Sequence, residues 1–534
     1  MTFKLSRTLG IVGISLSAMI VASAPSHAAK TLVYCTDASP AGFSASLNTT
    51  KTSMDAARPI YDQLVLFKRG ETMVVPGLAT AWKITNGGKT ITFTLRKGVK
   101  WHSGVNGFTP SRDFNADDVL WSFNRMWKTD HPYHKVSGGT YDYFADMSMA
   151  ETLNSITKID DYTVRFELNE GNVTMIPNLA MDFATIYSAE YADYLLKQGK
   201  PEQFDQIPVG TGAFIFQSYQ KDSVIRYRAN PNYWGEKAKV DNLIFAITPE
   251  ETQRLTKLKA NECQFFDKPR PNDLAEIKNN PDLKLIGMPS LSTSYFSFQV
   301  NKPPLNDKRV RQALSMAIDR QSLIDQVYLG AALPAVNFIT PDMMGYNKKI
   351  KPYDYNPEKA KQLLKEAGVM TPITVDFWWP PNRSINKVIA ERIQADWAKI
   401  GVTAKLVSFE WGEYVKRVNA GEHQVAMMTW GGDNGDPDNF FQTIGCSPEM
   451  KASPSNMSKW CDAEFVKLFH AAKVMVKQSD RVKAYQRMQE ILHDQQPQFL
   501  NVHRVDYKAM RKEVVGFKQS PFDRDEFTGV DIQQ

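Results

Sequence analysis

The chain is poor in the residues that carry most enzyme chemistry. Its 534 residues include only eight histidines and four cysteines. The sequence holds no C-x-x-C pair, no H-E-x-x-H helix, no G-x-S-x-G turn and no phosphate-binding loop with its lysine, so the common zinc, hydrolase and nucleotide-binding motifs are excluded. His131 and His134 flank Pro132 without a third metal ligand nearby. These absences favour a binding protein over an enzyme.

Long apolar runs and concentrated charge are also missing. Beyond the N-terminal region, no stretch approaches the roughly 18 consecutive apolar residues of a membrane-spanning helix. The formal charge of +6 is spread along the chain without a cluster of lysine and arginine. We therefore expect no nucleic-acid partner.

Residues 1–29 have the pattern of a secretory signal peptide. A start with Lys4 and Arg7 is followed by an apolar run from Leu9 to Ala22 and by small residues before the expected cleavage site. Cys35 lies too far past that site, and lacks the preceding small residue, to be a lipid-attachment cysteine. We predict a soluble periplasmic protein with a cleavable signal peptide that is not a lipoprotein.

The four cysteines are Cys35, Cys263, Cys446 and Cys461. An even number in an oxidising compartment favours two disulfides, for which three pairings exist. A local bridge between Cys446 and Cys461 would stabilise the polar loop between them by roughly 3 kcal/mol in the chain-entropy model. Cys35 and Cys263 then remain as the second pair by elimination.

Strand patterns and helix patterns alternate along the chain, which indicates an α/β protein. A chain of this length exceeds a single core, so we expect two or more lobes. Asn115 and Asn356 are predicted helix N-caps. Pro357 follows Asn356 at the first helical position, and Gly368 marks the end of that helix. Apolar and polar residues alternate as in half-buried strands over residues 90–96, 162–168, 213–219 and 223–229.

The stretch TWGGDNGDPDNFF, residues 429–441, concentrates three aspartates after an apolar strand. A calcium loop that starts at Asp433 fails, because Gly435 and Pro437 take two ligand positions and no glutamate closes the loop. A solvated turn is the plain structural alternative. However, ligands of α/β folds bind where strands end, which makes Asp433 a candidate ligand residue.

Several runs occur in a fixed order: PGLATAWKITNGGKTITFTLRKGVKWHSG and FTPSRDFNADDVLWSFNRM within Pro76 to Met126, then PVGTGAF, NPNYWG and DKRVRQALSMAIDRQSLI. Together they resemble the peptide and nickel class of ABC-transporter substrate-binding proteins. The resemblance implies an α/β, type II periplasmic-binding-protein fold, in which two lobes (three domains) are joined by a two-strand hinge around a ligand cleft. It places lobe 1 at residues 30–290 and 508–534, an inserted domain at about 73–195, and lobe 2 at 291–507.

Further runs, among them KTLVYCTDASPAGF, FEWGEYVKR and GDNGDPDNFF, are similar to dipeptide-binding members of that class. The likeness implies the same two disulfides. It also implies that Asp433 holds the α-ammonium of a peptide and that Arg383 holds its α-carboxylate. Two charge pairs at a fixed separation would recognise a zwitterion by its length.

The same likeness implies the rest of the site. The backbone near Gly432 and an extended segment around Thr49 to Thr52 would hydrogen-bond the peptide as an added strand would, with Thr49 and Thr50 as ligand-binding residues. Trp430 would form a wall of the pocket. Two departures from the pattern are visible: the loop holding Arg383 is shorter, and Lys51 stands where the pattern has glycine.

We therefore predict a monomeric solute-binding protein without enzymatic activity, metal or cofactor, which passes dipeptides or short peptides to an inner-membrane ABC permease. Alternatives with the same fold bind haem, longer peptides or antimicrobial peptides. Haem would need an axial ligand such as His503 or a tyrosine. A secreted hydrolase that uses Asp433 or Asp436 with an unidentified glutamate is the remaining hypothesis.

Overall fold

The computed structural model describes residues 1–2, 29–475 and 477–533. The predicted signal peptide therefore lies almost entirely outside the described residues. The strands are β1 Thr31–Thr36, β2 Val65–Phe67, β3 Val74–Pro76, β4 Ala79–Thr85, β5 Thr90–Leu95, β6 Leu153–Asp160, β7 Thr163–Leu168, β8 Phe214–Gln220, β9 Val224–Ala229, β10 Asn242–Ile247, β11 Phe265–Asp267, β12 Leu283–Phe298, β13 Ala332–Pro334, β14 Ile373–Trp378, β15 Val402–Val407, β16 Val425–Gly431, β17 Gln498–Arg511, β18 Val514–Val515 and β19 Asp531–Ile532.

The α-helices alternate with these strands along the chain. They are α1 Lys51–Ala57, α2 Ala116–Trp127, α3 Asp142–Asp146, α4 Met149–Thr152, α5 Met175–Asn178, α6 Ala189–Lys197, α7 Glu251–Lys259, α8 Leu274–Asn279, α9 Lys308–Met316, α10 Arg320–Gln326, α11 Pro357–Glu366, α12 Ser384–Ala398, α13 Trp411–Asn419, α14 Asp438–Phe441, α15 Ala463–Val474 and α16 Gln478–Gln495.

Helix starts follow the capping signals of the sequence. The Asn115 side chain accepts a hydrogen bond from the N–H of Asp117, and Asp118 completes a capping box at the start of α2. Asn356 caps α11, whose first residue is Pro357. Both predicted caps are confirmed.

One large sheet runs through the molecule in the order β15-β14-β16-β12-β17-β11-β1-β10-β9-β8, with β13 added on β17. The long strands β12 and β17 are antiparallel neighbours at its centre. On one side, β12 pairs with β16. On the other side, the C-terminal part of β17 pairs with β11. Since each strand continues from one half of the sheet into the other, the pair forms the predicted two-strand hinge between lobes.

Each lobe has its own apolar core. Leu32, Phe93 and Tyr227 belong to the core of lobe 1, whereas Phe296 and Trp397 belong to a separate core in lobe 2. Separate cores allow each lobe to move as a unit about the hinge.

A second sheet, β4-β5-β7-β6, has four strands and carries α2 on one face. It falls within the segment predicted as an inserted domain. The exact boundaries of that domain and of the two lobes stay predictions. Among the described residues, no helix has the length and apolar character needed to cross a membrane.

Both disulfides join the predicted partners. Cys35 on β1 is bonded to Cys263, with 5.9 Å between the Cα atoms. The Cys446–Cys461 bridge closes a local loop with a Cα separation of 6.0 Å. The pairing predicted from the local Cys446–Cys461 loop is therefore confirmed.

Candidate ligand-binding site

The candidate residues lie at one edge of the lobe 2 sheet. Strands β14 and β16 run parallel, so both end at the same edge. Arg383 follows β14 through a short loop, and Asp433 follows β16 after a single intervening residue. This edge is where ligands bind in open α/β sheets, and it faces lobe 1.

Asp433 is held from two sides. The Tyr143 hydroxyl, which lies in the predicted inserted domain, donates to its Oδ2 at 3.0 Å. The Asn439 Oδ1 accepts the Asp433 backbone N–H at 2.9 Å and the Trp430 Nε1–H at 3.2 Å. Asn439 is fully buried, so it fixes the indole and the anchor backbone relative to each other. No pattern in the sequence indicates the roles of Tyr143 and Asn439.

Burial raises the pKa of Asp433 to about 7, although the Tyr143 hydrogen bond acts in the opposite direction. The nearby Asp182 raises this pKa further, while Arg58 and Arg524 lower it. Among the described residues, no lysine or arginine forms an ion pair with Asp433. A ligand cation at this position would therefore stabilise the ionised carboxylate.

Aromatic rings surround this anchor. Trp430 is half-buried, and its ring centroid lies 6.4 Å from that of Tyr143. Tyr143 in turn stacks on Phe183, with 6.3 Å between centroids and 12° between planes. The rings of Trp430, Tyr143 and Phe183 form an apolar wall beside Asp433, and the contact of Trp430 with a ligand stays a prediction.

The glycines before Asp433 differ in their surroundings. A Cβ on Gly431 would meet nothing within 4 Å, whereas a Cβ on Gly432 would lie 2.8 Å from Phe440 Cε2. The Gly432 N–H donates to the Leu291 carbonyl. Gly432 is thus required for packing, and its N–H is used within the protein. Ligand hydrogen bonds from other backbone groups near Gly432 stay a prediction.

The segment at Thr49 and Thr50 also differs from its prediction. Thr50 is extended, but α1 begins at Lys51, so the extended segment ends there. The Thr50 side chain accepts from the Ser53 N–H as the N-cap of α1, and Thr49 is exposed. The extended backbone predicted around Thr49 to Thr52 therefore stops at Thr50, because the capping threonine starts a helix there. The ligand-binding role of Thr49 and Thr50 stays a prediction.

The other two aspartates of the stretch shape the turn. Asp436 accepts from Arg481 Nη2 at 2.7 and 2.8 Å and from the Tyr485 hydroxyl at 3.1 Å. It also accepts the Asp438 backbone N–H at 3.0 Å. No group of three or more potential metal-ligating side chains occurs in the described part of the chain. These contacts hold the turn in place behind Asp433.

Arg383 immediately precedes α12 and is half-buried. Its guanidinium makes no ion pair with a described residue. Burial lowers the pKa of Arg383, and the neighbouring Arg504 lowers it further. Like Asp433, Arg383 is a charge that a ligand of opposite sign would stabilise.

The lobe 1 side of the cleft carries a network of ion pairs, which we call the floor network. Lys508 is fully buried, with its Nζ 2.6 Å from Asp267, 2.8 Å from Asp523 and 2.8 Å from Asp525. Lys51, the departure noted in the sequence, bonds Asp525 and Asp55. The other members are Arg58, Asp182, Lys268, Arg524 and Glu526.

The Lys51 ammonium hydrogen-bonds Asp55 and Asp525, and a third carboxylate, that of Asp267, lies 3.3 Å away. Lys51 therefore ties α1 to the floor network. The sequence could not indicate this, because the partners lie more than 200 residues away from Lys51, apart from Asp55.

Hydrogen bonds between the lobes define the closed arrangement. Among them are Tyr143–Asp433 at 3.0 Å, Asn434–Asn178 at 2.6 Å, the backbone pair Val173–Lys473 at 3.1 Å, and the pairs Ser455–Asp146 and Ser384–Glu251. Lobe 2 supplies one partner of every pair. Closure therefore places Asp433 and Arg383 at the interface between the lobes.

The match to a known family decides the class of protein. The model described as "Bacterial extracellular solute-binding proteins, family 5 Middle" matches residues 73–451, well over half of the chain. The chain belongs to this family. As a family 5 solute-binding protein, it is of an extracytoplasmic, solute-binding class.

Relatives of this family 5 protein match it over nearly its full length. A dipeptide-binding protein of Escherichia coli strain K12 is 48% identical over 98% of this chain and 98% of its own. Haem-binding protein A of Haemophilus influenzae is 44% identical over 95% of this chain and 93% of its own.

Two solved structures share the fold. A periplasmic binding protein of Helicobacter pylori in complex with the peptide STSA has a TM-score of 0.90 and 34% identity, covering 94% of this chain and 98% of the other. A dipeptide-binding protein of Pseudoalteromonas sp. SM9913 in complex with Met-Leu has a TM-score of 0.89 and 32% identity, covering 94% and 100%. The predicted two-lobe α/β fold is confirmed.

Proposed function

We propose that this chain is the solute-binding component of a peptide ABC transporter, which captures dipeptides or short peptides. The observation that carries the proposal is the pair Asp433 and Arg383. These opposite charges lie at one sheet edge, and neither is ion-paired to a described residue. A zwitterionic peptide supplies both missing partners at once.

The protein recognises the two charged ends of the peptide, so the peptide side chains contribute little to selectivity. The ammonium binds Asp433 beside the aromatic wall, and the carboxylate binds Arg383. Both pairs are shielded from water in the closed arrangement, where charge-assisted hydrogen bonds are strong. The spacing between the anchors sets the accepted peptide length.

Closure couples capture to delivery. The peptide contacts residues of both lobes, so it stabilises the closed arrangement over open ones. We propose that the monomeric protein acts in the periplasm after removal of its signal peptide, without a lipid anchor. An inner-membrane permease then accepts the closed form, and no covalent chemistry takes place.

Mass spectrometry of small molecules that copurify with the protein tests the ligand class, and peptides should be recovered. Calorimetry with Ala-Ala then compares the wild type with Asp433→Asn. Losing a desolvated charge pair should weaken binding by at least about 30-fold. Asp438→Asn is the matched control, since this buried aspartate of the same turn makes no described hydrogen bond to Asp433, Tyr143 or Asn439; it should bind Ala-Ala like the wild type. Unchanged affinity in Asp433→Asn would refute the ammonium anchor.

Haem is the second candidate ligand, because one relative at 44% identity is named for it. His503, the axial ligand considered from sequence, is only 3% exposed and lies 3.0 Å from Thr293 Oγ1 through its Nδ1. An absorbance titration with haemin decides the question, and a Soret shift at one equivalent would favour haem. Intact recovery of Ala-Ala after long incubation would exclude the hydrolase.

A further inference from the structure

Arg504 lies at the same edge of the lobe 2 sheet as the two predicted anchors. The strand register pairs Trp430 of β16 with Thr293 of β12, and Thr293 with His503 of β17. Arg504 follows His503 on β17, and Gly431 follows Trp430 on β16, which runs parallel to β17. Arg504 therefore lies level with Gly431 at the end of β16. With one strand between them, β16 and β17 are about 10 Å apart.

Arg504 has donors to spare. Its Nη2 lies 3.3 Å from Asp506 Oδ1, but neither this contact nor any other forms a side-chain hydrogen bond from Arg504 to a residue that the structure describes. A guanidinium carries five N–H donors. The side chain is only 20% exposed, so bulk water does not readily satisfy them.

The two arginines influence the same buried tyrosine. The Tyr328 hydroxyl accepts from Asn501 Nδ2 at 3.2 Å, three residues before Arg504 on β17. Burial raises the pKa of Tyr328, while Arg504 and Arg383 both act to lower it. Both arginines thus act on the same hydroxyl, in agreement with the strand register that places Arg504 level with the end of β16.

The acidic groups around these arginines are already engaged. Glu251 accepts from Ser384, and Asp267 accepts from Lys508. Asp506 faces Arg504 itself. Neither Arg383 nor Arg504 donates a side-chain hydrogen bond to a carboxylate that the structure describes, so both guanidinium groups keep N–H donors for a ligand carboxylate.

We propose that Arg504 is a second ligand-binding arginine, which together with Arg383 holds the carboxylate of the bound peptide. The inference rests on the proposed function and extends it, since the predicted site contained Arg383 alone. An extended dipeptide spans about 7 Å, so a carboxylate whose ammonium is at Asp433 comes within reach of both side chains.

Amidated peptide separates a ligand contact from a structural role. Calorimetry measures Ala-Ala and Ala-Ala amide binding to the wild type and to Arg504→Gln. A direct contact predicts that the variant loses about tenfold or more in affinity for Ala-Ala and changes little in affinity for the amide. Equal losses for both peptides would overturn the proposal and assign Arg504 to support of the fold.

Two further variants keep the test decisive. Arg511→Gln, on the same strand but paired with Glu513, is the matched control and should bind both peptides like the wild type. Arg504→Gln combined with Asp506→Asn removes the pair without leaving a buried carboxylate, and should show the same selective loss as the single variant. If the wild type binds neither peptide, the proposed function itself fails; if it binds both and Arg504→Gln leaves Ala-Ala affinity unchanged, only the role of Arg504 fails.

Discussion

Acidification of the ligand-free protein should favour the closed arrangement. In that arrangement burial raises the pKa of Asp433 to about 7, whereas an aspartate facing water titrates near about 3.9. The closed form thus binds the proton more tightly than an open form. Above about pH 7 the ionised Asp433 carboxylate opposes closure. Its protonation at lower pH removes this cost, so closure becomes more favourable.

The size of the effect follows from the two pKa values. A rise from 3.8 to about 7 corresponds to about 4 kcal/mol against closure at neutral pH. Asp433 is half-buried, and solvent screening reduces the expected free-energy cost of closure at neutral pH to about 2 kcal/mol. Even that value changes the ratio of closed to open molecules by about 30-fold.

Small-angle scattering of the ligand-free protein provides the assay. Its radius of gyration should fall between about pH 7.5 and about pH 5.5, toward the value reached with Ala-Ala at the higher pH. Asp433→Asn should be compact already at the higher pH. Burial also raises the pKa of Asp146, which contacts Ser455 across the cleft, to about 6, so the variant should retain a smaller transition near that value. A wild type that never compacts, or a variant with an unchanged midpoint near 7, would refute the reasoning.

Three further outcomes test other parts of the account. Asn439→Leu removes the acceptor shared by the indole wall and the anchor backbone, so calorimetric affinity for Ala-Ala should fall by about tenfold; full affinity would contradict its positioning role. Lys508→Met removes the buried cation that contacts three carboxylates, so the free energy of unfolding in urea should fall by about 3–5 kcal/mol. An unchanged free energy of unfolding would argue against the stabilising role of the floor network. Replacing the Cys446–Cys461 bridge by two serines should lower the same quantity by about 3 kcal/mol, and equal stability would show that the loop needs no constraint.

Local elements of the fold could be predicted because their signals are local. Asn115 and Asn356 mark helix starts through side chains that bond the next turn. Alternating residues likewise indicate β5 and β7 in nearly their observed bounds. The continuous helical pattern after Asp307, however, is divided into α9 and α10, because Asp319 caps a new helix within it.

Contacts between lobes could not be predicted, because they depend on how distant segments meet. Tyr143 and Asp433 are 290 residues apart, and no spacing in the sequence connects them. Arg504 lies on a strand whose pattern indicates only burial. Asp433 was identifiable because it follows a strand end with glycines, whereas its partners belong to elements whose position the hinge determines.

The central claim is that the cleft binds a peptide by both of its charged ends. Calorimetry of the wild type with Ala-Ala, N-acetyl-Ala-Ala and Ala-Ala amide tests this most directly. The account predicts that blocking either end weakens binding by at least about 30-fold, because one buried charge then loses its partner. Equal affinity for the free and the blocked peptides would contradict it.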